Sequence, residues 1–149
     1  SRPHVFMSLT KKGHSAVFST TGNNDTHIIL RGGQRPNYDA ESVDLAAEEM
    51  KSSGLEPKMM VDFSHANSRK DYTKQIDVGH DVAHQISKGN KQIIGAMIES
   101  HLIEGRQDNT PDKELTYGQS ITDACIGWGN SVPLLERLAE AVRQRREVQ

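Results

Sequence analysis

The stretch Met59-Met60-Val61-Asp62-Phe63-Ser64-His65-Ala66-Asn67-Ser68 decides how the chain folds. A short apolar run stops at a carboxylate and a histidine, and small polar residues follow. A buried parallel strand has this form when it ends at a site: apolar and β-prone, then a turn whose first side chains can meet a ligand. Two other stretches repeat the pattern. His27-Ile28-Ile29-Leu30 runs into Arg31-Gly32-Gly33, and Ile93-Ile94-Gly95-Ala96-Met97-Ile98 runs into Glu99-Ser100-His101. Arg31 precedes His65 by 34 residues, and His65 precedes Glu99 by 34 again. A strand–helix–strand unit occupies about 30 or more residues. Three consecutive units therefore each present one charged or metal-binding side chain at the same end. Catalytic groups drawn from the C-terminal ends of several strands are the arrangement of a barrel.

Outward from these strands, helices fill the gaps. Asp39 is a candidate N-cap, and Val43, Ala46, Ala47 and Met50 recur on one helical face until Gly54 and Pro57. A second helix is expected from about Lys70 to Lys88, with Val78, Val82, Ala83 and Ile86 inward and Gly89 as its stop. The polar stretch Leu102–Leu115, which holds Asp108-Asn109-Thr110-Pro111-Asp112, reads as a long exposed loop. Ser131 can cap a last helix with Pro133 in its first turn, an apolar face of Leu135, Leu138, Ala139 and Val142, and a basic end. Ahead of all this, Val5–Leu9 and Ser15–Ser19 flank Thr10-Lys11-Lys12-Gly13-His14 and predict a β-hairpin.

The alternation implies an α/β fold, a parallel sheet covered by helices. Three barrel strands are not eight, and a full (β/α)8 barrel takes about 250 residues. The 149 residues therefore read as one domain, the C-terminal part of a TIM barrel at about strands six to eight, with the hairpin of residues 5–19 inserted before them. The open sheet edges of such a piece favour pairing with a second chain, so a homo-oligomer is expected.

Composition narrows the partners. Eighteen basic residues face 20 acidic ones, for a net charge of −2 and a pI near 6.4. That balance favours neither nucleic acid nor an anionic membrane. The apolar fraction is 34% and the mean hydropathy −0.66, so the core is concentrated in a few segments. No apolar run reaches the roughly 18 residues of a membrane span. The single cysteine, Cys125, permits no disulfide within the chain and fits a reducing, cytoplasmic setting.

His65, Glu99 and Asp123 form the first chemical constellation. An imidazole with two carboxylates is a ligand set for Mn, Fe, Co or Zn. The alternative is a hydrogen-bonded structural histidine at a strand end. Arg31-Gly32-Gly33 is the second: a guanidinium makes bidentate bonds to phosphate or carboxylate, and glycines let backbone N–H groups approach an anion. Its alternative is an ordinary glycine turn with a salt-bridged arginine. His80 and His84 lie four residues apart on a predicted helix but lack the glutamate of a zinc-protease helix motif, and that helix lies outside the barrel. Cys125 is expected as a small buried residue under a loop.

These motifs, with Tyr117-Gly118-Gln119-Ser120-Ile121-Thr122-Asp123-Ala124-Cys125-Ile126-Gly127-Trp128, together resemble the type I 3-deoxy-D-arabino-heptulosonate 7-phosphate (DAHP) synthases, also called phospho-2-dehydro-3-deoxyheptonate aldolases. The match runs over essentially the whole chain but covers the C-terminal portion of such an enzyme. The resemblance implies a metal-dependent transferase on a TIM barrel that condenses phosphoenolpyruvate with erythrose 4-phosphate, the first step of the shikimate pathway to aromatic amino acids. By motif, His65, Glu99 and Asp123 would be three of four metal ligands. The family's fourth, a cysteine from the N-terminal part, is not in this sequence, so Cys125 need not be recruited. Arg31 would bind the phosphate of phosphoenolpyruvate. The hairpin resembles the family's feedback-inhibition site for an aromatic amino acid, with Phe6 and Ser8 in it. Serine at position 8 resembles the phenylalanine-sensitive type, and ordinary core packing is the alternative for Phe6. Gly129 after Trp128 and Arg106 in Glu104-Gly105-Arg106-Gln107 depart from the usual pattern. The isolated chain is expected to have little or no activity, since lost positioning groups remove a proximity term of about 7–11 kcal/mol. The contrasting expectation is a non-catalytic module for effector binding or oligomerisation.

Overall fold

A computed structural model describes residues 2–111 and 113–148. Asp112 of the stretch 108–112 lies outside the described residues, as do Ser1 and Gln149.

The hairpin is formed by β1 (Val5–Leu9) and β2 (Ser15–Ser19), antiparallel with Phe6 opposite Phe18 and Ser8 opposite Ala16. Neither strand enters the core. The core belongs to three parallel strands, β3 (Ile28–Leu30), β4 (Met59–Asp62) and β5 (Ile93–Met97), paired in that order. Between them run helix α1 (Ala40–Ser52) and helix α2 (Gln75–Ser87). On β4, Met59 and Val61 point to the helices, and Phe63 continues the same alternation beyond the strand. All three are completely buried with Val43 and Ala47 of α1 and Val82 of α2. The opposite face of the sheet is also apolar but open: Ile29 and Ile94 remain 53% and 54% exposed.

Helix α1 starts as expected. Asp39 accepts from the Ser42 backbone N–H at 3.0 Å and from the Ser42 hydroxyl at 2.8 Å. It stops with Gly54 at a φ of +71°, and Leu55 N–H reaches back to Met50 O at 2.9 Å, a Schellman closure that favours glycine at that position. Partial burial pushes the Asp39 carboxyl up, but the Ser42 bonds outweigh it and hold the group below its ordinary value. The cap's contribution is therefore complete above the ordinary aspartate pKa of about 4 and is lost as pH falls through the lower folded value. Asp39→Ala is expected to cost about 1 kcal/mol at neutral pH, read from the shift in urea midpoint, and clearly less in strong acid.

Three boundaries differ from expectation. Helix α2 begins at Gln75, because residues 64–70 form a tight turn, with Ser68 N–H on Ser64 O and Lys70 N–H on His65 O, and a 3-10 turn follows at Tyr72–Lys74. The exposed loop contains a strand, β6 (Ile103–Arg106), paired in parallel with β7 (Gln119–Ser120). The last helix, α3 (Trp128–Glu147), starts a turn early, with Gly127 as its N-cap. Ser131 sits inside that helix, its hydroxyl on Gly127 O at 2.9 Å. The buried face of α3 carries Leu134, Ala141 and, partly, Leu138 and Val142, while Leu135 is 49% exposed and Ala139 faces out. Arg145 of its last turn donates to Asn90 O at 2.9 Å instead of to its own helix end.

Helices α2 and α3 meet at Gly79. A Cβ there would lie 2.5 Å from Leu134 Cδ1 and 2.9 Å from Phe63 Cε2, both on buried side chains. Alanine gains up to about 1 kcal/mol of helix propensity over glycine, while overpacking costs about 1–3 kcal/mol. Gly79→Ala is thus expected to lower the melting temperature; a rise would mean that the helices separate freely.

Candidate metal centre

The end of β4 builds the first half of the site. Asp62 closes the strand, and its Oδ1 accepts the Ser64 N–H at 2.8 Å. The chain then turns so tightly that His65 takes a φ of +49°, in the left-handed region that is uncommon for residues other than glycine. That turn throws the imidazole toward the sheet's C-terminal end. Asn67, buried, holds the turn down by donating to Asp62 O at 2.7 Å and to Leu30 O at 3.0 Å, so one amide ties the ends of β3 and β4 together.

Glu99 follows β5 and is held from three sides. The Gln75 side chain accepts its N–H at 2.8 Å and donates to its carbonyl at 3.0 Å. Ile126 N–H reaches the same carbonyl at 3.0 Å. Ser64 Oγ donates to Glu99 Oε2 at 2.7 Å. Asp123 comes from the connection between β7 and α3 and is exposed. One donor atom from each of His65, Glu99 and Asp123 lies within 4.8 Å of the other two. His65 Nε2 is 4.0 Å from Glu99 Oε1. The residues fit a divalent transition metal: one borderline-soft nitrogen and two hard oxygens converge on one point.

A cavity at this cluster is lined by Arg31, Ser64, His65, Lys70, Tyr72, Glu99 and Asp123. Arg31 is exposed on the turn after β3. That turn abuts the His65 turn, since a Cβ on Gly32 would lie 2.8 Å from Ala66 Cβ. Gly32 N–H donates to Asn37 Oδ1 at 2.7 Å, and Asn37 N–H to Asn67 Oδ1 at 2.8 Å.

Sequence reasoning singled out Arg31, His65, Glu99 and Asp123, and all four line the one cavity. It missed Lys70 and Tyr72, because a helix was expected to begin there. It also missed the holding roles of Asn67 and Gln75, whose partners are remote in sequence. Cys125 is half-buried, not fully buried. Burial pushes its thiol up, a Ser120 hydrogen bond opposes this, and the charges of Glu99 and Asp123 push it further up, so the thiolate form is disfavoured. His80 and His84 occupy the exposed face of α2, away from the cavity. Arg106 pairs with Asp108. Gly129 has open space where a Cβ would project.

Phe6 and Ser8 lie on β1, outside the core formed by the described residues. The Phe6 ring stacks on Phe18 with centroids 5.8 Å apart, and His4 lies 5.6 Å from Phe6. No helix among the described residues is long and apolar enough to cross a membrane.

The sequence profile of the DAHP synthetase I family matches residues 2–136. A phospho-2-dehydro-3-deoxyheptonate aldolase of Haemophilus influenzae is 59% identical over 146 residues, covering 97% of this chain and 40% of that protein. A Phe-sensitive phospho-2-dehydro-3-deoxyheptonate aldolase of Escherichia coli is 55% identical, covering 97% of this chain and 41% of that protein. A solved phospho-2-dehydro-3-deoxyheptonate aldolase from Francisella tularensis superposes with a TM-score of 0.88 at 48% identity, over 97% of this chain and 42% of that one. The chain thus spans about two fifths of the length of the curated relatives it matches.

Proposed function

The chain belongs to the DAHP synthetase I family, and on that premise we propose that it carries the metal-binding end of an active site that condenses phosphoenolpyruvate with erythrose 4-phosphate. The observation that carries the reading is the convergence of His65, Glu99 and Asp123 on one point beside Arg31. Imidazole and the two carboxylates hold a divalent ion, with Mn, Fe, Co and Zn all compatible. Bound there, the ion supplies Lewis acidity toward an aldehyde or carbonyl oxygen. Arg31 binds the phosphate of phosphoenolpyruvate, being charged at any working pH and shaped for two parallel hydrogen bonds.

In this reading residues 1–149 are one partial barrel domain. The parallel strands β3 to β5 are consecutive strands of a (β/α)8 barrel, about the sixth to the eighth. The apolar inner face with Ile29 and Ile94 supports it, because parallel sheets are normally buried on both sides. The hairpin of residues 5–19 is the inserted regulatory element. Phe6 and Ser8 contact an aromatic amino acid, phenylalanine before tyrosine, and the exposed hairpin and open sheet edges serve self-association in a cytoplasmic enzyme. A second reading, an effector-binding module without metal, draws on the exposed Phe6–Phe18 pair.

Separate calorimetric titrations discriminate. Under the first reading Mn²⁺ binds with one site per chain, and phosphoenolpyruvate binds the Mn²⁺-loaded chain about 10–100-fold more weakly in Arg31→Ala, the worth of a charged hydrogen-bond pair. Phenylalanine binding with no Mn²⁺ binding supports the second. Equal phosphoenolpyruvate affinity in Arg31→Ala removes Arg31 from the site.

A further inference from the structure

Asp62 is no ligand of the proposed cation, yet it is the better buried partner of His65. Its side chain is 3% exposed. Three bonds fix it or its backbone: Oδ1 holds the Ser64 N–H at 2.8 Å, the carbonyl holds Asn67 Nδ2 at 2.7 Å, and Phe63 N–H, next in sequence, continues the sheet on Met97 O at 2.9 Å. The remaining oxygen, Oδ2, lies 2.7 Å from His65 Nδ1. That contact is not an aligned hydrogen bond, and Nδ1 is buried with no other partner among the described residues. The other ring nitrogen, Nε2, faces Glu99 Oε1 at 4.0 Å.

We propose that Asp62 is a positioning residue that keeps the proton of His65 on Nδ1 and so reserves Nε2 for a divalent cation. The inference deepens the metal reading above and rests on it. Its physics is local. A bare Nδ1 at 2.7 Å from a carboxylate oxygen sets two electron-rich atoms against each other, whereas a proton on Nδ1 turns the same close contact attractive even without full alignment. Because the other oxygen of the carboxylate holds the Ser64 N–H, and Asn67 holds the Asp62 backbone carbonyl, the acceptor has little room to swing away and relieve a wrong tautomer. Ring nitrogens of metal-binding histidines are commonly fixed in this manner, and removing the partner costs about 10–100-fold in metal affinity.

Asp62→Asn is a clean probe. It keeps the volume and the Oδ1 acceptor for Ser64, but its amide N–H₂ can face Nδ1 and pull the proton to Nε2. Two readouts on the full 149-residue chain separate the proposal from the metal reading. The first is the ¹⁵N shift of the His65 ring nitrogens without metal. Nδ1 is expected as a protonated nitrogen in the wild type, with proton occupancy moving toward Nε2 in the variant. The second is Zn²⁺ titration by calorimetry, where the variant is expected to bind about 10–100-fold more weakly. A bare Nδ1 in the wild type overturns the proposal even if the variant fails to fold. Equal Zn²⁺ affinity in a folded Asp62→Asn overturns it while leaving the metal site intact. A wild type that binds no Zn²⁺ but shows the expected Nδ1 proton sinks the metal reading and retains Asp62 as the group that sets the ring.

Discussion

His65→Ala is expected to weaken Mn²⁺ binding by at least about 100-fold, more than loss of an outer partner usually costs. The imidazole is the one nitrogen donor in the cluster, and it is what distinguishes a transition-metal site from a pair of acids. Without it, one half-buried and one exposed carboxylate remain, and exposed carboxylates compete poorly with water for a hydrated cation. Glu99→Ala is expected to do the same, and it also leaves Ser64 Oγ without its acceptor. His84→Ala is the control, since that side chain lies on the outer face of α2. Calorimetry with Mn²⁺ at fixed pH and salt reads all three. Wild-type affinity in His65→Ala, or a loss in His84→Ala, contradicts the assignment.

Gly32→Ala is expected to be the most damaging change that adds a single methyl group. Gly32 has a φ of +76°, in the left-handed region. Its missing Cβ would meet Ala66 Cβ at 2.8 Å, and Ala66 C and Asn67 N at 3.0 Å. Two of those three atoms are backbone, so no side chain can turn aside. Left-handed strain costs about 1–3 kcal/mol and overpacking about as much again. Together they reach a large share of the roughly 5–15 kcal/mol that holds a domain folded. The chain can relieve the clash by parting the Arg31 turn from the His65 turn, which breaks the bonds from Gly32 to Asn37 and from Asn37 to Asn67. The expected result is a lower urea midpoint together with weaker phosphoenolpyruvate binding. Gly33→Ala, with open space at its Cβ, is expected to be near neutral. Equal midpoints for the two variants would contradict the close approach of the two turns.

Much of this is legible in the sequence. Three strands ending in Arg31, His65 and Glu99 announced themselves because a buried parallel strand is continuously apolar and its end is abruptly not. Asp39 and Gly54 marked the ends of α1 through local hydrogen bonds that need no tertiary context. Where the reading slipped, distant contacts had decided. Leu134 and Leu135 give two apolar faces one position apart, and packing against Phe63 and Gly79 selects Leu134. Ser131 resembles an N-cap before Pro133, yet its hydroxyl bonds back to Gly127 O and meets the Ser100 hydroxyl. Strand β6 is polar, with Glu104, Gly105 and Arg106, and takes its form from pairing with β7 rather than from propensity. The amides of Asn67 and Gln75 bind partners 37 and 24 residues away, a separation no local pattern encodes.

The most direct measurement is X-ray absorption at the zinc edge of the Zn²⁺-loaded chain. One imidazole and otherwise oxygen donors, at about 2.0–2.2 Å, are the predicted shell. A sulfur scatterer near 2.3 Å would bring in Cys125, and a second imidazole would point to His80 and His84. Either result would contradict a site made of His65, Glu99 and Asp123.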